Sequence, residues 1–263
     1  MTASALLRML SYKVYFAGEQ EILMSGHSKW KNIQATKGKN DAQRAKIFTK
    51  LSREIIVAVK EGGPNPASNS KLRDVIAKAK AANVPNDNIN RVIARAAGNT
   101  DQSNYESITY EGYGPAGIAV IVETMTDNRN RTASDIRHYF DKYGGNLGAT
   151  GCVSWQFDRK GVIVIERGDL DEDLVMMDAL DCGASDFEAT EECFEIYTDP
   201  DEFGSVREAL EAKNYSFISA QVEMVPKNYV TLTDDEQIKN MTKLIEMLED
   251  NDDVQEIWHN WDS

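Results

Sequence analysis

The apolar residues of this 263-residue chain change their spacing near Gly98, and that change divides what the two parts can become. Before it, Ile47, Leu51, Ile55 and Val59 recur four apart within residues 41–60, which is one apolar stripe on a helix. The stretch EGGPNPASNS then breaks the helix with glycine and proline. A second helix is expected over KLRDVIAKAKAAN, capped by Ser70, with Leu72, Val75, Ile76 and Ala79 inward and Lys71, Arg73, Lys78 and Lys80 largely outward. A third is expected over VPNDNINRVIARAAG, capped by Asn86 or Asp87, packed through Ile89, Val92 and Ile93, and stopped by Gly98 in a left-handed turn. Residues 24–98 therefore read as a three-helix domain.

Beyond Gly98 the period shortens to that of strands. YESITYEGYGPAGIAVIVETMT reads as a β-hairpin turning at Gly114-Pro115-Ala116-Gly117. A helix follows over TDNRNRTASDIRHYFDKYGG, with Thr132 and Asp135 as an expected capping box and Gly144-Gly145 as its stop. CVSWQFD alternates as a strand. Residues 160–226 then run strand, helix, strand, strand, helix, strand, which is the ferredoxin-like pattern. The tail offers a strand at YVTL, a helix over residues 234–250 and a strand at DVQEIWHNW, too little to hold a core alone, so it is expected to complete the sheet begun at 105–157. The fold class is α+β in three domains: a basic helical domain at 24–98, a middle α+β domain from 99–158 plus 228–263, and a ferredoxin-like insert at 159–227. Residues 1–23 read as an extension, disordered or arising from a start codon ahead of the true one at Met24.

Charge follows the same division. The chain carries a formal net charge of -14 with a pI of about 4.7, yet residues 24–98 sum to +10 and residues 99–263 to -24. That asymmetry points to a polyanion at the basic end and to repulsion of indiscriminate polyanions by the rest. Apolar runs such as IAVIV and VIVIE are only about five residues long, against the ~20 that span a bilayer, so no membrane association is expected. Cys152, Cys182 and Cys193 form no C-x-x-C pair, and His27, His138 and His259 lie far apart, so neither a disulfide framework nor a metal site is expected. A reducing, cytoplasmic setting fits.

No nucleophile elbow, phosphate-binding loop, dinucleotide fingerprint or zinc-protease helix occurs, so no catalytic residues and no cofactor are expected. GGNLGATG at 144–151 follows a helix and precedes a strand, the wrong order for a phosphate cradle. The junction TDNRNRT, residues 126–132, stays open between two roles. Arg129 and Arg131 beside free helix N–H groups could hold an anion, or Asp127, Asn128 and Asn130 could cap the helix while the arginines pair with acids. In the basic domain, His27, Lys29, Trp30, Lys31, Lys37, Lys39, Arg44, Lys46, Lys50 and Arg53 are the candidate nucleic-acid contacts. The cations would neutralise phosphates, and Trp30 with His27 could stack on an unpaired base. No recognition helix with base-reading Asn, Gln or Arg at its start is evident.

The motifs SGHSKWKNI, RAKIFTKLSREI, NSKLRDVIAKAKAANVPNDNINR, YEGYGPAGIAVIVETMTDNRNRT, GGNLG and VSWQFDRKG together resemble the YebC/PmpR family, which includes the mitochondrial translational activator of cytochrome c oxidase subunit I. Cys152 stands where the family more often has serine. The resemblance implies the same three-domain architecture and no enzyme activity. It also implies one of two roles that the family has been given: a DNA-binding transcriptional regulator, or a ribosome-associated factor aiding difficult stretches such as consecutive prolines. The expected function is a non-enzymatic regulator that binds nucleic acid, ribosomal RNA foremost and promoter DNA as the alternative.

Overall fold

The computed structural model describes residues 41–98 and 104–262, with side chains from residue 45 onward. Three helices come first: α1 (Asp41–Gly62), α2 (Ser70–Ala81) and α3 (Asn86–Ala97). Leu51, Ile55 and Val59 of α1 bury against Leu72, Val75 and Ala79 of α2 and Ile89, Val92 and Ala96 of α3 in one apolar cluster. The expected caps move by one residue. Asn69, not Ser70, caps α2, its side chain accepting from Leu72 N–H, because its amide also reaches back to the Ala58 and Gly63 carbonyls at 2.7 and 2.8 Å. Pro85 precedes α3 in place of a side-chain cap, its fixed φ suiting the entry. Gly98 is not left-handed, with φ at -80°, so the helix runs out rather than being stopped by a positive turn.

The middle unit is a four-stranded antiparallel sheet in the order β3-β1-β2-β9, built from β1 (Glu106–Tyr113), β2 (Ala119–Thr126), β3 (Asn146–Leu147) and the late strand β9 (Val254–His259). The tail thus completes the sheet. Ala116 at φ 54° and Gly117 at φ 81° make the hairpin turn. Strand β2 is buried on both faces, which explains its unbroken apolar run. Val120 and Val122 face α4 (Arg129–Lys142) and α7 (Asp235–Asp250), while Ala119 and Ile121 face Val153 and Phe157. Gly112 and Gly145 are small by necessity: a Cβ at Gly112 would lie 2.6 Å from the Asn146 carbonyl, and one at Gly145 2.5 Å from that of Tyr113.

CVSWQFD is not a strand throughout. Residues Ser154–Gln156 form one 3-10 turn, and the strand β4 (Phe157–Glu166) starts only afterwards. The alternation was misleading because buried Glu111 gathers the N–H groups of Gly151, Val153 and Ser154 at 2.8, 2.9 and 2.9 Å and bends the chain around its carboxylate. Strand β4 opens the ferredoxin-like unit with α5 (Glu172–Asp181), β5 (Asp186–Ala189), β6 (Cys193–Thr198), α6 (Phe203–Ala212) and β7 (Phe217–Pro226). Its sheet order, β5-β6-β4-β7, is that of the ferredoxin-like pattern. Ile163, Ile165, Phe194 and Ile196 pack beneath Val175, Val206 and Leu210 of the two helices. A short parallel pair, β8 (Val230–Thr231) with β10 (Trp261–Asp262), closes the chain.

The helical unit docks on both others through ion pairs. Arg53 meets Asp253 at 2.8 Å, and Lys78 meets Glu256 at 2.6 Å and Glu54 at 3.1 Å. Lys78, expected to point outward, is thus enclosed in the seam. Across the insert, Arg207 of α6, its side chain only 8% exposed, meets Asp74 of α2 at 3.2 Å.

Candidate nucleic-acid interface

The junction between β2 and α4 is built on one buried carboxylate. Asn128 caps α4, accepting from Arg131 N–H at 3.1 Å, so the expected Thr132/Asp135 box does not form. Thr132 instead turns inward and donates to Asp253 Oδ2 at 2.8 Å. Thr126 Oγ1 donates to the same oxygen at 3.1 Å, and Arg131 to it at 2.7 Å, while Arg53 holds Oδ1 at 2.8 Å. Burial alone would raise the Asp253 pKa. The hydrogen bonds from Arg131 and Thr132, with the charges of Arg131 and Arg53, outweigh it and hold the carboxyl below the usual aspartate range. Arg131 also pairs with Asp127 at 3.1 Å. Of the two roles left open for TDNRNRT, the geometry is that of a cap plus paired arginine. Arg131 remains 47% exposed, and Arg129 one residue after the cap is exposed.

Because Arg53 and Arg131 hold the two oxygens of one carboxylate, their guanidinium groups sit side by side across the seam. The Arg53 guanidinium also lies 5.4 Å from the centroid of the Tyr105 ring. From there an open groove of about 390 Å³ runs over α1 and α3, its lining among the described residues including Phe48, Thr49, Ser52, Arg53, Asn88, Arg91, Arg95 and Tyr105 but no carboxylate, with Arg53 itself paired to Asp253. Arg91 and Arg95, one helical turn apart and exposed, lie opposite the buried stripe of Ile89, Val92 and Ala96. Arginine gives such a groove fixed, forked donors for phosphate, and the two aromatic rings offer faces for stacking.

The sequence-expected contacts divide. Arg53 lines this groove. Lys46 and Lys50 lie on the other side of α1, in a cleft of about 600 Å³ whose lining includes Glu54, Glu246, Glu249, Asp250 and Glu256. There Lys46 pairs with Asp250, and Lys50 donates to the Glu249 carbonyl at 3.0 Å. Those acids offset the lysines and disfavour a polyanion in that cleft. His27, Lys29, Trp30, Lys31, Lys37 and Lys39 lie outside the described residues, as does the side chain of Arg44. Sequence reasoning missed Arg91, Arg95 and Tyr105. The four-residue spacing of the two arginines, off the apolar stripe, was the available signal, whereas nothing local marks Tyr105. It also missed that the first turns of α3 expose Asn86, Asn90 and Arg91, side chains able to reach base edges.

These features define a class: an α+β protein of three packed units, with a basic helical unit seated against an acidic body and an insert of ferredoxin-like topology. The chain belongs to the TACO1/YebC family. The family's N-terminal domain matches residues 28–99 and its second and third domains match residues 105–261. A probable transcriptional regulatory protein of Ruminiclostridium cellulolyticum is 65% identical over 240 residues, covering 91% of this chain and 97% of that protein. One of the same description from Acetivibrio thermocellus is 62% identical over 239 residues, covering 90% and 99%. The crystal structure of a conserved hypothetical protein from Aquifex aeolicus is similar at a TM-score of 0.77 and 46% identity, covering 86% of this chain and 93% of that one.

Proposed function

We propose that this protein is a non-enzymatic, cytoplasmic regulator of gene expression that grips ribosomal RNA with its helical unit and acts on translation. The observation that carries the proposal is the groove that three arginines, Arg53, Arg91 and Arg95, line together with the Tyr105 and Phe48 rings. Phosphate neutralisation beside aromatic faces suits unpaired or irregular RNA better than a regular duplex. Arg129, exposed one residue after the cap, extends the basic surface onto the middle unit, whereas Arg131 is taken up by Asp127 and Asp253. The strongly acidic remainder discourages binding in any other orientation.

Promoter DNA through the same surface is the second reading. It is favoured by the exposed Asn86, Asn90 and Arg91 at the start of α3 and by the transcriptional description of the relatives. The two separate in one equilibrium experiment with a single-stranded RNA and a duplex DNA of equal length, titrated with salt. RNA preference, with log affinity falling against log salt at a slope of roughly -4 for about six phosphates, supports the RNA reading. Arg91→Glu with Arg95→Glu should flatten that slope by more than about 1. A salt-insensitive complex overturns both readings, and a duplex preference that survives excess competitor DNA overturns the first.

A further inference from the structure

Among the described residues, five large apolar side chains are exposed, and three of them fall in one short stretch of the insert: Leu170, Leu174 and Met177, at 43%, 56% and 39%. Leu174 and Met177 lie one turn apart on α5, and Leu170 stands just ahead of Asp171, which caps that helix by accepting from Leu174 N–H at 2.9 Å. The core does not need them. Val175 and Ala179, on the opposite side of α5, are the residues that join the buried cluster of Ile163, Phe194 and Val206. The insert docks on the helical unit through its other helix, α6, whose Arg207 and Glu208 meet Asp74 and Arg73 of α2 at 3.2 and 3.5 Å. Exposed apolar side chains gathered in one place, with no part in the core, mark an interaction surface.

Charge specifies the occupant. Residues 168–206 contain fourteen acids and no lysine or arginine. Two cations reach α5 among the described residues, and both are paired: Arg167 with Glu172 at 2.9 Å and Lys213 with Asp178 at 2.6 Å. Asp173 and Asp181, one turn before and one turn after Met177, are exposed and have no ion pair among the described residues. Asp173 suits the positive end of the helix dipole. Asp181 sits at the negative end, where a carboxylate costs stability, so the helix's own stability does not account for it. An apolar pair flanked on both sides by unpaired carboxylates repels nucleic acid and anionic surfaces. It also disfavours an isologous pair of copies, which would set the same acids against each other. Its complement is an apolar stripe bordered by cations. We propose that this face of α5 docks an amphipathic helix of a partner protein, one with aliphatic side chains on one face and lysine or arginine beside them. The inference is independent of the nucleic-acid reading and gives the insert a protein partner of its own.

The test uses the full chain at low salt and a fluorescent synthetic peptide about four helical turns long, with leucines on one face and lysines on the other. Leu174→Gln with Met177→Gln should weaken its binding about tenfold and keep the salt dependence. Asp173→Asn with Asp181→Asn should also weaken it and flatten the salt dependence, whereas Asp235→Asn with Glu236→Gln, an equal loss of charge on α7, should change it by less than about twofold. All six residues are exposed, so each variant keeps the fold. If Leu174→Gln with Met177→Gln binds the peptide as the unaltered chain does, the apolar face is no dock and the proposal falls. If the Asp235, Glu236 variant loses as much affinity as the Asp173, Asp181 variant, the attraction is that of an acidic protein at large, and the proposal falls as well. If the unaltered chain self-associates in sedimentation and the Leu174, Met177 variant does not, a second copy is the occupant and the basic partner is overturned.

Discussion

Replacing Asp253 by alanine should loosen two joints at once. Its carboxylate, 5% exposed, is the shared acceptor for Arg53 from the helical unit and for Arg131, Thr126 and Thr132 from the β2–α4 junction. Without it, Arg53, whose side chain is 15% exposed, keeps its charge in the seam with, among the described residues, the Met125 and Asp252 carbonyls as its acceptors. Removing one partner of such an enclosed pair costs about 3–5 kcal/mol, and the half-exposed Arg131 recovers part of its loss from water, so the lower end applies, about 3 kcal/mol. For a chain of this size each kcal/mol moves Tm by roughly 2–4 °C, so a fall of about 6–12 °C is expected by calorimetry. The pH dependence follows from the direction of the shift. Since the folded pKa lies below the ordinary aspartate value of 3.8, the stabilisation is fully present above that value and disappears as pH falls through the folded pKa. Wild type and variant should therefore converge in Tm only in strong acid. A loss under about 1 kcal/mol at neutral pH would refute the assignment of Asp253 as the hub.

Three further substitutions probe the frame. Glu111→Ala removes a charged acceptor from three backbone N–H groups and should cost about 3 kcal/mol by urea denaturation. Burial raises the Glu111 pKa, but the N–H bonds of Val153, Gly151 and Ser154 lower it by more, so the difference from wild type should shrink only below the ordinary glutamate value of 4.5. Lys78→Met should strand Glu54, Glu123 and Glu256, of which Glu123 and Glu256 already oppose one another across β2 and β9. Burial chiefly raises the Glu54 and Glu123 pKa values, so stability falls as pH climbs above 4.5, and the variant should make that fall steeper in a pH series of thermal melts. Gly112→Ala places a methyl 2.6 Å from the Asn146 carbonyl and 2.8 Å from the Phe140 ring, and should cost about 1–3 kcal/mol by the same denaturation assay.

What could be read in advance follows from which interactions are local. The helices, the hairpin and the βαββαβ order were legible because apolar spacing reports a buried face directly, as Leu51, Ile55 and Val59 do. Caps shifted because Asn69 and Asn128 compete with adjacent polar residues, and the winner is decided by a partner such as the Ala58 carbonyl that spacing does not reveal. The turn at Ser154–Gln156 depends on Glu111, about forty residues earlier, and so escaped a local pattern. The candidate interface was half legible. Charge pointed to the basic helices, but only tertiary packing shows that Lys46 faces Asp250 and Lys78 faces Glu256, while Arg53, Arg91 and Arg95 line one groove. Tyr105 meets Arg53 from 52 positions away in sequence, a juxtaposition made by folding alone.

The most direct test of the central claim is sedimentation of cell lysate through a sucrose gradient at low and moderate salt, comparing the unaltered chain with an Arg91→Glu, Arg95→Glu variant. Travel of the unaltered chain with ribosomes at low salt, its release at moderate salt, and retention of the variant at the top are the predicted result. Both proteins remaining at the top would contradict it and shift the target to promoter DNA.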